Sequence, residues 1–229
     1  MRRQILALTL LGAVAAASGP VQTQTGDVHP VSGRVFALPM GVAGADWLDR
    51  AERVAEEQPD RALRVLKIAR GATVADVGAG SGYMTERLAA IVGPEGRVYA
   101  TDIQPGMIAL LRERIARKKL TNVIPLLTTS DDPRLPDDAI DLVLMVDVYH
   151  ELQRPQAVLG HIRRALKADG RLVLLEYRGE DPSVPIRPEH KMTVAQVRQE
   201  LEHEGFALAT VDRSLPRQHL FIFGRGSSR

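Results

Sequence analysis

Val74-Ala75-Asp76-Val77-Gly78-Ala79-Gly80-Ser81-Gly82 decides how this chain is read. The apolar run up to Val77 has the character of a strand, three glycines crowd the turn, and Tyr83 to Ala89 continues as a helical pattern. A strand, a glycine turn and a helix start therefore coincide. Such a junction lets bare backbone approach a ligand, because glycine takes positive φ freely and the new helix presents amide groups without intrahelical partners. A nucleotide-like ligand is expected there.

Details narrow the ligand. A G-x-G-x-x-G/A dinucleotide fingerprint laid on Gly78 and Gly80 needs Gly or Ala at position 83, where Tyr83 stands, and no Gly-Lys-Ser/Thr follows for a P-loop. A pyrophosphate cradle is disfavoured. Asp76 repels a phosphate but suits a ligand bearing an ammonium group and a sulfonium centre, the charge pattern of S-adenosylmethionine. With these residues the chain resembles the class I S-adenosylmethionine-dependent methyltransferases from about Asp46 to Gly224, residues 74–82 matching their first motif. Asp102 strengthens the resemblance: it ends the next apolar strand (Arg97-Val98-Tyr99-Ala100-Thr101), 20 residues beyond Gly82, where a carboxylate can accept hydrogen bonds from ribose hydroxyls.

The resemblance implies a cofactor site and its occupants. Asp76, Gly78, Ala79, Gly80 and Gly82 would hold the methionine part and Asp102 the ribose, with Ile103 against the adenine face. Asp131, in Ser130-Asp131-Asp132, would meet the adenine amine, while Asp132 has the alternative of capping the loop before Pro133. Tyr83 and Trp47 would cover the cofactor or join the core. The fourth strand ends Met145-Val146-Asp147-Val148-Tyr149-His150-Glu151, an edge that in relatives lines the methyl donor and the substrate. Asp147, Tyr149 and His150 are thus placed near the reacting atoms, Asp147 on the cofactor side as well. An unperturbed imidazole titrates near pH 6.5, which makes His150 the general-base candidate, or else a loop cap that touches only the cofactor. His190, in Glu189-His190-Lys191-Met192, is a second candidate base, with an exposed helix-start residue as the alternative.

Hydrophobic patterning supplies the frame. Strand-like runs at 73–77, 97–101, 122–127, 140–147 and 171–177 alternate with helical patterns at 83–91, 105–118 and 155–167, the βαβ rhythm of a parallel sheet. Residues 46–55 have a helical period ahead of the first strand, and Lys167-Ala168-Asp169-Gly170 reads as a helix end with its glycine cap. After a helix at 193–204, residues 205–211 and 219–223 form a hairpin. The expected fold is α/β, a doubly wound, mostly parallel, seven-stranded Rossmann-like sheet with an antiparallel C-terminal hairpin strand.

The first residues read as a targeting segment. Met1-Arg2-Arg3 is basic, Ile5 to Ala17 carries no charge, and Ala15-Ala16-Ala17 offers small residues for cleavage. Thirteen residues are too few to span a bilayer, which needs about 20. The expected organisation is a signal peptide (1–17), a flexible N-terminal segment (18–43), a methyltransferase domain (44–224) and a tail (225–229), with periplasmic or secreted localisation. Arg2-Arg3-Gln4-Ile5-Leu6 partly resembles a twin-arginine signal, and an uncleaved membrane anchor is the alternative. Removing residues 1–17 takes away two arginines and no acids, so 30 Lys+Arg against 28 Asp+Glu becomes 28 against 28. A neutral chain carries no basic excess for nucleic acid, and the basic stretch Arg112 to Lys119 reads as a solvated helix face.

What is absent narrows the chemistry. There is no cysteine, hence no disulfide and no thiolate intermediate, and the six histidines show no zinc-ligand spacing. Asn122 is the single asparagine, so neither an Asn-Pro-Pro-Tyr motif nor an Asp-Asp-Asn metal cluster can be assembled, and no metal is expected. The reading is direct in-line methyl transfer to a small-molecule acceptor, for which the protein aligns the reactants and excludes water. Residues 178–192 would build a modest lid. A nucleotide-cofactor oxidoreductase and a non-catalytic S-adenosylmethionine-binding protein are the alternative readings.

Overall fold

A computed structural model describes residues 28–226; the expected signal peptide lies outside the described residues. Five parallel strands, β1 (Thr73–Val77), β2 (Arg97–Asp102), β3 (Val123–Leu127), β4 (Ile140–Val146) and β5 (Leu166–Arg178), are followed by a two-residue strand β6 (Lys191–Met192) and the antiparallel pair β7 (Phe206–Asp212) and β8 (Gln218–Arg225). Their order is β3-β2-β1-β4-β5-β8-β7, with β6 beside β5. The expected seven-stranded sheet and its C-terminal hairpin are present, and β6 is an addition. Strand order reverses between β1 and β4, so the carboxyl ends of these two strands diverge into a crevice where open α/β sheets bind ligands.

Both faces of the sheet are covered because its central strands carry apolar residues on both faces. On β4, Val143 and Met145 face one core with Ala75, Leu172, Leu174 and Phe221, while Leu142 and Leu144 face the other with Val74, Val173 and Leu88. The two-residue period thus divides a continuous apolar run between two layers. Helices α6 (Pro155–Ala165) and α7 (Val194–His203) cover the first face; α3 (Pro59–Leu66) and α4 (Tyr83–Val92) cover the second. Helix α5 (Pro105–Lys118) packs Ile108 and Leu111 on Ala100 and Ala79.

Three local expectations are corrected. The single helix expected over 46–55 is two short ones, α1 (Ala45–Leu48) and α2 (Arg53–Glu57), and α3 follows directly. The break forms because arginine side chains capture the freed carbonyls, Arg50 Nη1 donating to Trp47 O at 2.8 Å and Arg53 Nη1 to Leu48 O at 2.8 Å. Pro59 then starts α3 and disfavours helical backbone at Gln58, which takes φ +50°. Residues 167–170 are not a helix cap. Helix α6 stops at Ala165 because the next residue, Leu166, is buried and pairs with Ile140, leaving 167–170 as an irregularity in β5. A Cβ on Gly170 would come within 2.8 Å of Ile140 O, a close approach that glycine allows. Finally, Arg225, assigned above to the tail, belongs to β8 and pairs with Phe206.

Residues 28–43, expected within a flexible segment, are docked. Val28 and Val35 form a bridge, and Glu200 of α7, fully buried, faces His29 Nε2 at 3.2 Å and accepts from Arg34 Nε at 2.8 Å and from Ser32. Arg34 continues to the turn after β4, where its Nη1 donates to His150 O at 2.9 Å. Removing one partner of a buried pair strands the other charge, at a cost of about 3–5 kcal/mol. Glu200→Ala should therefore lower unfolding stability in urea by about 3 kcal/mol and expose residues 28–37 to limited proteolysis.

Candidate functional site

The carboxyl ends of β1, β2 and β4 open onto a cavity of about 550 Å³. Gly78 and Gly80 form one wall, Asp102 and Ile103 a second, and Asp147, His150 and Glu151 a third; Leu38, Pro39 and Met40 and also Pro185, Ile186 and His190 line it. The docked N-terminal segment was not foreseen as part of the site. The 178–192 segment was.

The glycine loop is held by backbone and one carboxylate. Gly78 N and Ala79 N donate to Thr101 O at 2.9 Å, and Asp102 accepts from Gly80 N at 3.0 Å and from Gln104 N at 2.8 Å. Asp102 therefore knits the loop to the end of β2, and burial raises its carboxyl above the ordinary range. Gly78 at φ +74° and Gly80 at φ +54° line the cavity, whereas Ala79 and Gly82 do not. Ala79 packs in the α5 core, and a Cβ on Gly82 would meet Leu111 at 2.6 Å.

Three more residues expected at the cofactor stand outside the cavity wall. Asp76 shares the face of Val74 on β1, so its side chain turns under α4 and accepts from Thr85 Oγ1 at 2.6 Å; burial pushes its carboxyl up to about 6. Tyr83 lies between the guanidinium groups of Arg53, 4.4 Å from its ring centroid, and Arg87, at 3.9 Å. Asp131 accepts from Thr129 Oγ1 at 2.7 Å and faces Arg154; Thr128, Thr129 and Ser130 reach the cavity in its place. Trp47 is on the wall, with Arg50 stacked 3.6 Å from its ring centroid.

The floor concentrates acidic groups. Asp147 has φ +54° and accepts from Gln218 Nε2 at 3.0 and 2.8 Å, and burial, then the nearby Glu57 and Glu176, hold its carboxyl well above the ordinary range. Glu57, nearly fully buried, accepts from Arg53 Nε at 2.6 Å and from Tyr177 Oη at 2.8 Å. Neither Glu57 nor Gln218 was singled out in the sequence. Each looks like an ordinary surface residue until the chain brings it to the strand ends.

At the far wall, His150 is buried in a 3₁₀ turn, Tyr149–Glu151, against Glu176 at the end of β5. Glu176 accepts from Tyr149 N at 2.9 Å, and its other oxygen is 2.6 Å from His150 Nδ1. His150 Nε2 is 3.1 Å from His190 Nδ1, and His190 Nε2 is 3.0 Å from Arg187 Nη2. A guanidinium can only donate, so the network assigns the protons in one direction: Arg187 to His190, His190 to His150, His150 to Glu176. Burial alone would lower His150, but Glu176, Glu151 and Asp147 raise it above its ordinary value; burial and the neighbouring His150 and Arg187 lower His190. Tyr149, placed with these residues by the sequence reading, is fully buried and lies instead in the core.

The comparisons agree with this geometry. Residues 75–174 match the methyltransferase domain family. The S-adenosylmethionine-dependent methyltransferase of Aquifex aeolicus superposes with a TM-score of 0.78 at 26% identity, covering 82% of this chain and all of that one. Residues 75–174 form a methyltransferase domain. The cofactor of this methyltransferase domain is S-adenosyl-L-methionine. A TehB-like methyltransferase of Corynebacterium glutamicum shares the fold, with a TM-score of 0.59 at 19% identity over 81% of this chain and all of that one. Among curated proteins, the ubiquinone/menaquinone biosynthesis C-methyltransferases UbiE of Burkholderia cenocepacia and Cupriavidus taiwanensis are 33% and 30% identical over 108 and 107 residues. These matches cover 47% of this chain and 44% of each relative.

The methyltransferase domain's residues fit its cofactor. Gly78 and Gly80 leave the wall free of side chains, Asp102 and Ile103 stand at the end of β2 for a ribose and a base, and the acidic floor favours a cation. A Cβ at Gly78 would fall 2.5 and 2.7 Å from the Val148 methyls, at a φ disfavoured for alanine. Strain of about 1–3 kcal/mol follows, so Gly78→Ala should weaken S-adenosylmethionine binding at least about 10-fold by calorimetry. Asp76 gives a pH signature. Its folded carboxyl titrates near 6 against 3.8 in the open chain, so the fold binds the extra proton and this group's contribution is lost as pH rises from about 4 through 6. Asp76→Asn should be more stable than wild type by about 3 kcal/mol at pH 7.5, with most of the difference gone near pH 4 in urea titrations at each pH.

Proposed function

We propose that the chain transfers the methyl group of S-adenosylmethionine by direct in-line displacement to an oxygen or nitrogen atom of a small molecule, with carbon as the further acceptor. What carries this reading is that one cavity joins the glycine loop and Asp102 to the His150–Glu176 pair. The cofactor supplies a methyl group already activated by its sulfonium. The chain's residues then have to orient the acceptor, exclude water and take up one proton. Glu176 accepts from His150 Nδ1 and so leaves Nε2 as the nitrogen that receives the proton, while the carboxylate stabilises the imidazolium that results. Asp147 also lines the cavity, and His190 Nδ1–H, 3.1 Å from His150 Nε2, occupies that nitrogen in the resting network and swings aside before His150 takes the acceptor's proton.

The segments around the opening, Leu38–Met40 and Pro185–Arg187, bring mainly apolar side chains to the acceptor side, which supports a small partly apolar molecule rather than a nucleic acid. The names of the UbiE relatives point to a carbon acceptor. We further infer export to the periplasm or the exterior, supported by Arg2-Arg3 and the uncharged run Ile5 to Ala17. Among the described residues no helix is long and apolar enough to cross a membrane.

Mass-spectrometric detection of S-adenosylhomocysteine, with purified protein, S-adenosylmethionine and a panel of phenols, amines and quinols, tests the activity. A general base contributes about 10²–10⁴ in rate, so His150→Gln should cut turnover at least about 100-fold while S-adenosylmethionine affinity changes less than about threefold. Absence of product with every acceptor, together with no heat of cofactor binding, rejects the reading.

A further inference from the structure

His150, Glu151 and His190 meet at one point of the cavity wall. His150 Nε2 is 3.1 Å from His190 Nδ1, and Glu151 Oε1 is 3.8 Å from each of them. The three ligand atoms lie within 4.8 Å of one another. A triangle with these edges has its centre about 2.1 Å from every corner, the bond length of a divalent transition ion to imidazole nitrogen or carboxylate oxygen. Two ring nitrogens this close are bridged either by the proton of an N–H···N hydrogen bond or by a metal ion.

The surroundings are those of a built ligand set. His150 Nδ1 is held by Glu176 at 2.6 Å, which turns Nε2 and its lone pair toward the triangle, and a carboxylate behind a histidine in this way orients metal ligands generally. Glu176 is itself held in place by Tyr149 N at 2.9 Å. His190 becomes a ligand through Nδ1 by shifting its proton to Nε2, which requires only that Arg187, whose side chain is 75% exposed, swing away. Glu151 and His190 are each 18% exposed, so an ion can enter from the cavity.

We propose that His150, Glu151 and His190 form a two-histidine, one-carboxylate site for a divalent first-row transition ion, with its remaining coordination positions open to the acceptor side of the cavity. The donor set selects the class: two imidazoles favour zinc, cobalt, iron or nickel over magnesium or calcium, which prefer oxygen. Open positions would take an oxygen of the acceptor, and the ion would acidify a bound hydroxyl, whose proton would pass to water at the cavity mouth. Ion-bound His150 is a ligand and not a base, so the ion site is an alternative state of the same cluster, and it is tested apart from the methyl-transfer reading because ion binding is measured without the cofactor.

Untagged full-length protein, stripped with EDTA and titrated with cobalt chloride, tests it. The expected result is one cobalt ion per chain, with a visible d–d absorption band that added zinc abolishes. Glu151→Gln and His190→Ala should each weaken cobalt binding more than about 100-fold, and Glu176→Gln, behind the ligands, about 10–100-fold. His203→Ala, remote from the cluster, should match wild type. Circular dichroism and the heat of S-adenosylmethionine binding verify that each variant is folded, so a lost band with retained cofactor heat reports ligation alone. Cobalt binding no tighter than millimolar in wild type, or equal affinity in wild type, Glu151→Gln and His190→Ala, overturns the proposal.

Discussion

Glu176 is the group on which the site's shape depends. It is the acidic residue in an otherwise apolar stretch, Leu172 to Tyr177, fully buried where β5 passes the end of β4. A carboxylate without water must have its oxygens occupied by donors, and here one takes Tyr149 N and the other His150 Nδ1. The turn after β4 thereby acquires one conformation, and the imidazole one orientation. From the opposite side Arg34, anchored by Glu200, holds the carbonyl of His150. Two buried glutamates on different elements thus grip a single turn, one through its amide and ring, the other by way of an arginine.

The remainder of the cavity trades local comfort for ligand chemistry. Asp147 sits in left-handed backbone that aspartate tolerates better than most residues, kept there by its amide on Leu175 O and its carboxylate on Gln218. Asp102, Asp147 and Glu151, all on the cavity wall, have carboxyls raised by burial. Such a concentration opposes folding and favours cations, and perturbed acids gathered in one crevice are a mark of functional sites. Arg53 offsets part of the charge, bonded to Glu57 and stacked on Tyr83.

How legible each residue was depended on how local its signal is. Gly78, Gly80 and Asp102 could be read because strand period, turn chemistry and a fixed spacing agree on their place. Asp76 and Tyr83 do not line the cavity, for a shared reason: a motif says that residues are near a ligand, but the pleat and the helix face decide which way each side chain turns, and both turn into the protein. Asp131 was chosen for its charge, yet the backbone directs Thr128 to Ser130 inward. The helix at 46–55 failed because periodicity cannot show two arginines folding back onto carbonyls. Likewise 167–170 resembles a capped helix end until the pairing of Leu166 with Ile140 claims it for the sheet.

By itself the sequence determined the alternation of strands and helices, the coverage of both sheet faces, the glycine turn and the final hairpin, since each follows from periods and turn preferences within about 20 residues of chain. Only the tertiary structure decided the wall opposite that turn. His150 meets Glu176 across 26 positions and His190 across 40, and Arg34 reaches the carbonyl of His150 across 116. Those meetings require the order β1-β4-β5 and the path of the segment after β5. Nothing in local spacing encodes them, because they arise where separate elements end side by side in space.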